Sequence, residues 1–230
     1  MKALVVYSGG MDSTVLLHLA IREYEEVEAI SFDYGSKHND REFREVEWNC
    51  QRLGVKYTRI KLPFEHFESN LLKGGGEIPE GHYADDTMKK TVVPFRNGIM
   101  LAFAAGFAES RDSTHLLLGN HFGDHAVYPD CRKSFIVPMC DAIQAGTYKQ
   151  IKVESPFCDM SKTEICALGL EFSVDHNHSY SCYNGGETHC GRCSTCFERK
   201  EAFYECQMVD PTVYIDESSY LKLKTEYSDV

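Results

Sequence analysis

Tyr7 to Thr14, YSGGMDST, is the stretch whose reading decides the fold. The residues before it, 3–6, are short, apolar and valine-rich, which reads as a buried strand. The residues after it, 14–21, place apolar side chains at helical spacing. SGGMDS therefore sits on a strand-to-helix turn, where backbone N–H groups and a helix dipole can meet an anion. Gly9 and Gly10 open backbone conformations closed to other residues. Ser8, Ser13 and Thr14 add hydroxyl donors. The loop has no lysine, so it is not the G-x-x-x-x-G-K-S/T cradle. Asp12 would repel phosphate directly, so it reads as a holder of Mg²⁺ or as an orienter of the loop.

Working outward, VEAISF predicts a second strand, broken by DYG. Residues 39–53 predict a polar helix stopped by Gly54. KYTRIKL predicts a third strand. Strand and helix alternating in this way predict an α/β fold with a doubly wound parallel sheet. Ligands of such sheets gather at the C-terminal ends of the strands, where SGGMDS and FDYG both fall. Residues 72–88 are glycine-rich and polar and read as a mobile loop, not a phosphate cradle. A helix is expected over 99–109, a buried strand over 114–120, and a helix from Pro129 or Asp130 to about Ala145. KVESPF reads as strand-like. SKTE, at 161–164, is a capping box that opens another helix.

The 230 residues carry a formal net charge of -11. That argues against a broad nucleic-acid footprint, which relies on clustered Lys and Arg. No apolar run approaches the ~20 residues that span a bilayer, and no secretion signal fits, so a soluble, cytoplasmic chain without a membrane partner is expected. There are ten cysteines, read as reduced thiols plus one metal cluster. Cys182, Cys190, Cys193 and Cys196 are close enough in sequence to form a tetrahedral zinc site, closed and therefore structural. An iron–sulfur cluster is the rival for four thiolates, and His176, His178 and His189 compete as ligands. In YPDCR, Asp130 could accept two N–H bonds from a guanine-like edge and Arg132 could pair with a carboxylate. A surface ion pair is the equal alternative there. Cys131 between them reads as a packed thiol.

SGG-x-DS after a first strand resembles the pyrophosphate loop of the N-type ATP pyrophosphatases. That resemblance implies that the loop holds the β,γ-pyrophosphate while a substrate oxygen attacks the α-phosphate. Phe32, Asp33, Tyr34 and Gly35 fall where that superfamily meets adenine and ribose. VYSGGMDST, SFDYG, VVPFRN, GNHFGDHAVYPDCR, SKTEI, SYSCYNGGE and CGRCSTC occur in that order. Together they resemble the 7-cyano-7-deazaguanine synthase (QueC) family over nearly the whole chain. Phe95, where relatives often carry alanine or glycine, and the residues between Asn120 and Asp124 depart from it.

The resemblance implies a Rossmann-like domain over 1–175 and a zinc-binding segment and tail over 176–230 packed on the same domain. It implies an ATP-dependent ligase in queuosine biosynthesis that converts 7-carboxy-7-deazaguanine and ammonia to the nitrile through adenylated acid and amide. Tyr7, Ser8, Gly9, Gly10, Met11, Asp12, Ser13, Thr14, Arg96 and Asn97, with the FDYG residues, are the implied ATP contacts. Asp12 and Lys162 are the implied catalytic residues; by chemistry alone Lys162 could equally be a solvated helix-start lysine. Tyr128, Asp130 and Arg132 are implied to hold the deazaguanine. Mg²⁺, structural Zn²⁺ and a homodimer follow from the same resemblance. With nearly the full length absorbed by this pattern, ammonia is expected free or from a partner. The rival readings are a related enzyme such as a tRNA thiolase, and a nucleotide-binding module without turnover.

Overall fold

The computed structural model describes residues 1–83 and 85–218; Ala84, within the 72–88 loop, and the tail beyond 218 lie outside the described residues. Five parallel strands form one sheet: β1 (Lys2–Val6), β2 (Glu26–Asp33), β3 (Lys56–Lys61), β4 (His115–Leu117) and β5 (Lys152–Glu154), in the order β3-β2-β1-β4-β5. Among the described residues six α-helices accompany them: α1 (Met11–Glu23), α2 (Asn39–Leu53), α3 (Arg96–Ser110), α4 (Lys133–Gly146), α5 (Lys162–Glu171) and α6 (Ser194–Glu205). The chain winds outward from β1 through β2 to β3, then returns to the other side of β1. The strand order thus reverses between β1 and β4, and a crevice opens there at the strands' C-terminal ends.

β1 is central and buried on both faces, which is why KALVV reads as a continuous apolar run. Its alternate side chains serve two cores. Leu4 joins Ile30, Leu101 and Leu116 on one face, while Ala3 and Val5 join Val15, Leu16 and Leu117 on the other. α2 ends as expected at Gly54, whose φ of 68° closes the helix in a left-handed cap. α3 begins at Arg96, three residues before the apolar run suggests, after Phe95 turns at φ 53°. The helix expected from Pro129 starts as a 3-10 turn, Pro129–Cys131, and α4 follows only from Lys133. Pairing of β5 ends at Glu154, ahead of Pro156.

The C-terminal cysteine segment is sewn into this body. Arg199 is fully buried on α6. It donates to the carbonyls of His176 (2.9 Å) and Ser179 (3.3 Å), to the hydroxyls of Ser179 (2.9 Å) and Ser181 (3.3 Å), and to Asp210 Oδ1 (3.2 Å). Tyr180 N–H donates to the Gly9 carbonyl at 2.9 Å, tying the segment directly to the loop after β1. Among the described residues, no helix is long and apolar enough to cross a membrane.

A buried cation with this many oxygen partners leaves a costly gap when it is removed. Arg199→Met is expected to cost about 3–5 kcal/mol, read as a lower urea midpoint. Arg44→Ala, which breaks an exposed pair with Glu187, is expected to cost less than about 1 kcal/mol. Equal midpoint shifts in the two variants would contradict this account.

Candidate active site

The loop between β1 and α1 braces itself. Ser8 Oγ lies 3.0 Å from Ser13 Oγ and accepts the Gly10 N–H at 3.1 Å. The hydroxyls of Ser13 and Thr14 both donate to the Gly10 carbonyl, at 3.1 and 2.8 Å. Gly10 is the N-cap of α1 in extended conformation, so the N–H groups of Met11, Asp12 and Ser13 have no carbonyl one turn back in the helix. Three donors and a helix dipole face the cleft, the arrangement that receives a phosphate group.

One end of the cleft carries Lys162. It is the first residue of α5, fixed by the capping box in which Ser161 and Glu164 satisfy each other's backbone N–H. Its ammonium lies 2.5 Å from Asp12 Oδ2 and 3.5 Å from Glu198 Oε2. His121 is buried beside them, its Nε2 3.6 Å from Glu198 and 3.8 Å from both Asp12 and Asp124. Gly123 N–H donates to His121 Nδ1 at 3.1 Å, so the ring proton sits on Nε2, toward the carboxylates. Burial raises the Asp12 pKa, but the Lys162 ammonium outweighs it and the carboxyl is held below its usual range. Burial likewise opposes the charge on Lys162, and Asp12 and Glu198 overcome it and raise its pKa.

Another part of the cleft is aromatic. Arg96 opens α3 with its guanidinium over the rings of Tyr34 and Tyr128, 5.6 and 5.7 Å from their centroids. It donates to Tyr34 Oη at 3.2 Å and makes no ion pair among the described residues. Tyr34 Oη also lies 3.2 Å from His38 Nε2. Burial, reinforced by Arg96, pushes the His38 pKa down to about 3, so the ring is neutral. Glu42, from the first turn of α2, and Tyr183 complete this wall.

Of the residues singled out from sequence, Tyr7, Ser8, Gly10, Met11, Asp12, Ser13, Phe32, Tyr34, Arg96, Asn97 and Lys162 line this one cleft. The others serve it from behind. Gly9 takes φ 86°, and Thr14 Oγ1 lies 3.3 Å from Tyr7 Oη. Asp33 pairs with Arg59 at 2.5 Å, and Gly35 turns at φ 76°. The structure does not bring the YPDCR pair to the cleft. Asp130 is buried and accepts the Asn97 N–H at 2.7 Å, at the start of α3. Arg132 donates its Nε–H to the His125 carbonyl at 2.8 Å and is exposed. Tyr128 bonds Thr91 and Tyr183, each at 3.0 Å, and backs the aromatic wall. Sequence reading missed His121, Asp124, Glu198, His38 and Glu42. GNHFGDH carried the signal for the first two; Glu42 and Glu198 stand among many helix-surface charges.

The four cysteines converge as their spacing predicts. Their sulfurs all lie within 4.8 Å of one another. Cys182 Sγ accepts the Cys190 N–H at 3.3 Å, and Cys190 Sγ accepts those of Arg192 (3.4 Å) and Cys193 (3.3 Å). Backbone donors aimed at sulfur stabilise thiolates, and the separations suit tetrahedral coordination of one ion. The three competing histidines are engaged elsewhere. His189 Nε2 accepts the Ser181 N–H, His178 stacks on Trp48, and His176 packs edge-on against Phe203.

The family model described as queuosine biosynthesis protein QueC matches residues 2–207. The 7-cyano-7-deazaguanine synthase of Porphyromonas gingivalis is 50% identical over 214 residues, covering 92% of this chain and 96% of that one. That of Desulfotalea psychrophila is 50% identical over 215 residues, covering 93% and 98%. Two solved structures share the fold. The U34-tRNA thiolase NcsA of Methanococcus maripaludis matches with TM-score 0.51 and 14% identity, covering 100% of this chain and 72% of that one. The NMN synthetase of Francisella tularensis matches with TM-score 0.50 and 10% identity, covering 99% and 84%. At such identities the two structures speak for the fold alone. With the family model spanning most of its length and relatives at half identity over 92–93% of it, this chain belongs to the QueC family.

Proposed function

We propose that this chain is a 7-cyano-7-deazaguanine synthase, taking 7-carboxy-7-deazaguanine, ammonia and ATP to the nitrile, as the names of its relatives suggest. The observation that carries the reading is the convergence of a braced diphosphate loop, Lys162 and an Arg96 without an ion pair on one cleft. A carboxylate is a poor electrophile, and this arrangement suits its activation. The substrate carboxylate oxygen attacks the α-phosphate and pyrophosphate leaves toward α1. The N–H groups of residues 11–13 and the hydroxyls of Ser8 and Ser13 receive that charge, and Lys162 offsets charge on the phosphates in transfer. Arg96, a half-buried guanidinium among phenols, attracts an anionic group into the aromatic part of the cleft. Ammonia then attacks the acyl carbon: the C–N bond forms, the C–O bond to phosphate breaks, and AMP leaves with its electron pair. A second ATP activates the amide oxygen in the same place, and loss of AMP leaves the nitrile.

Asp12 Oδ1 is buried without a hydrogen-bond partner among the described residues. It fits the inner oxygen of a Mg²⁺ site, and the ion bound there would neutralise phosphate charge. We assign zinc, in a structural role, to the four-cysteine site. Its donor set is complete and closed, so it holds the segment that carries Tyr180, Tyr183 and Glu198 to the cleft. We further propose that the segment from residue 176 packs as part of the same domain, and that the protein works as a cytoplasmic homodimer. The exposed Phe103 on α3 and Val137 on α4 offer apolar surface that a second copy would cover.

ATP–pyrophosphate exchange dependent on 7-carboxy-7-deazaguanine should fall roughly 10²–10³-fold in Lys162→Met. Exchange at the wild-type level would remove Lys162 from the chemistry. Elemental analysis of the purified protein should find about one zinc per chain, and Cys193→Ser should lower both that content and the melting temperature. Iron and sulfide in place of zinc would overturn the assignment.

A further inference from the structure

Asp12, Asp124 and Glu198 gather around Lys162 and His121, but Glu42, the fourth carboxyl of the cleft, belongs to no such cluster. Its side chain is 12% exposed and makes no hydrogen bond among the described residues. His38 Nε2 lies 3.6 Å from its Oε2, on an imidazole that is neutral. Its backbone is fixed in place, because its own carbonyl is wedged against the phosphate loop. A Cβ on Gly9 would meet that oxygen at 2.4 Å. The carboxyl itself stands beside the loop, with Oε1 3.9 Å from where a Cβ on Gly10 would lie. A carboxyl that opens to the cleft with little solvent and no hydrogen-bond partner among the described residues stands where it can meet substrate.

The reaction proposed above leaves one task unassigned. Turning an adenylated amide into a nitrile requires an acceptor for the last N–H proton. Lys162 and Arg96 are cations and cannot take it, and the loop donors already face phosphate. We infer that Glu42 is the proton acceptor of the nitrile-forming step; this rests on the synthase reading. In that step the N–H proton of the adenylated amide passes to the Glu42 carboxylate. The electron pair of that bond becomes the third C–N bond. The C–O bond to phosphate breaks, and AMP leaves with its pair. Glu42 ends neutral and returns its proton to solvent before the next turnover.

The groups facing Glu42 are His38 and Tyr34 from the turn after β2 and Arg96 from α3. Burial pushes its carboxyl up to about 8, with Arg96 the opposing influence. The base form therefore appears as pH rises. Nitrile formation from the amide should climb roughly tenfold per unit toward pH 8 and then level. The same shift sets stability: the neutral acid favours the fold at low pH, and that contribution is lost as pH rises through about 8.

The test gives wild type and Glu42→Gln either 7-carboxy-7-deazaguanine with ammonium or the 7-amide alone, each with ATP and Mg²⁺, and follows products by mass spectrometry. In Glu42→Gln, nitrile formation should fall about 10²-fold or more while acid-dependent ATP–pyrophosphate exchange changes only a few-fold. The amide should accumulate, the pH rise should vanish, and Glu42→Asp should recover part of the rate. Melting at pH 9 should be no lower in Glu42→Gln than in wild type, which separates lost chemistry from lost fold. Wild-type nitrile rates in Glu42→Gln, or an equal fall in exchange and nitrile formation, would overturn the assignment. Absence of acid-dependent exchange in the wild type itself would bring down the synthase reading, and this inference with it.

Discussion

Gly9 is the point on which three separate segments converge. Its φ of 86° bends the loop so that the N–H groups of α1 face the cleft. Its missing side chain admits the Glu42 carbonyl, which seats the first turn of α2. Its own carbonyl accepts the Tyr180 N–H, which seats the cysteine segment. Any side chain there would be strained by the backbone angle and would collide with backbone, which yields far less readily than a flexible side chain. The close approach thus couples the phosphate loop to both walls of the cleft. A change at one position would displace anion binding, the aromatic wall and the cysteine segment together.

A chain of net charge -11 would not be expected to bind anions through its overall field, and it need not. Charge acts here over a few ångströms in a poorly solvated cleft, where pairing counts more than the sum. Three carboxylates surround Lys162 and His121, so that end is negative in sum even though it faces a phosphate loop. Such an arrangement suits a triphosphate that arrives with its own metal cation. The carboxylates hold Lys162 in position, and a cation bound with the triphosphate would offset their excess.

Much of this was legible in the sequence because it is local. Short apolar runs marked the strands, and helical spacing, caps and stops marked most helices. The glycines and serines of the loop, the SKTE cap and the cysteine spacing each describe chemistry within a few residues. What stayed hidden depends on which elements pack together. Asp130 looked free to read a heterocycle edge, but α3 begins beside it and Asn97 N–H takes the carboxylate. Arg132 is drawn to the His125 carbonyl by the 3-10 turn over Phe122–Ala126. Glu42 sits in a helix rich in exposed charge, and nothing in its spacing sets it apart from Glu47. Only the approach of α2 to Gly9 turns it inward. Glu198 is similar: it stands among the charges around the cysteine cluster, and only the position of α6 brings it to Lys162.

In the proposed reaction the two rounds of activation differ in their protons more than in their geometry. In the first, an oxygen that carries no hydrogen attacks phosphate, and the cleft must hold a carboxylate and a triphosphate together. A permanently ionised acid beside the loop would repel both. In the second, the attacking oxygen belongs to an amide, the pocket has lost one negative charge, and an N–H must be surrendered. A carboxyl that is neutral at rest and ionises near pH 8 meets both conditions. It is inert toward the anions of the first round and able to accept a proton in the second. Enclosure in the cleft with no hydrogen-bond partner among the described residues places that acid near the pH at which the proposed step would need it.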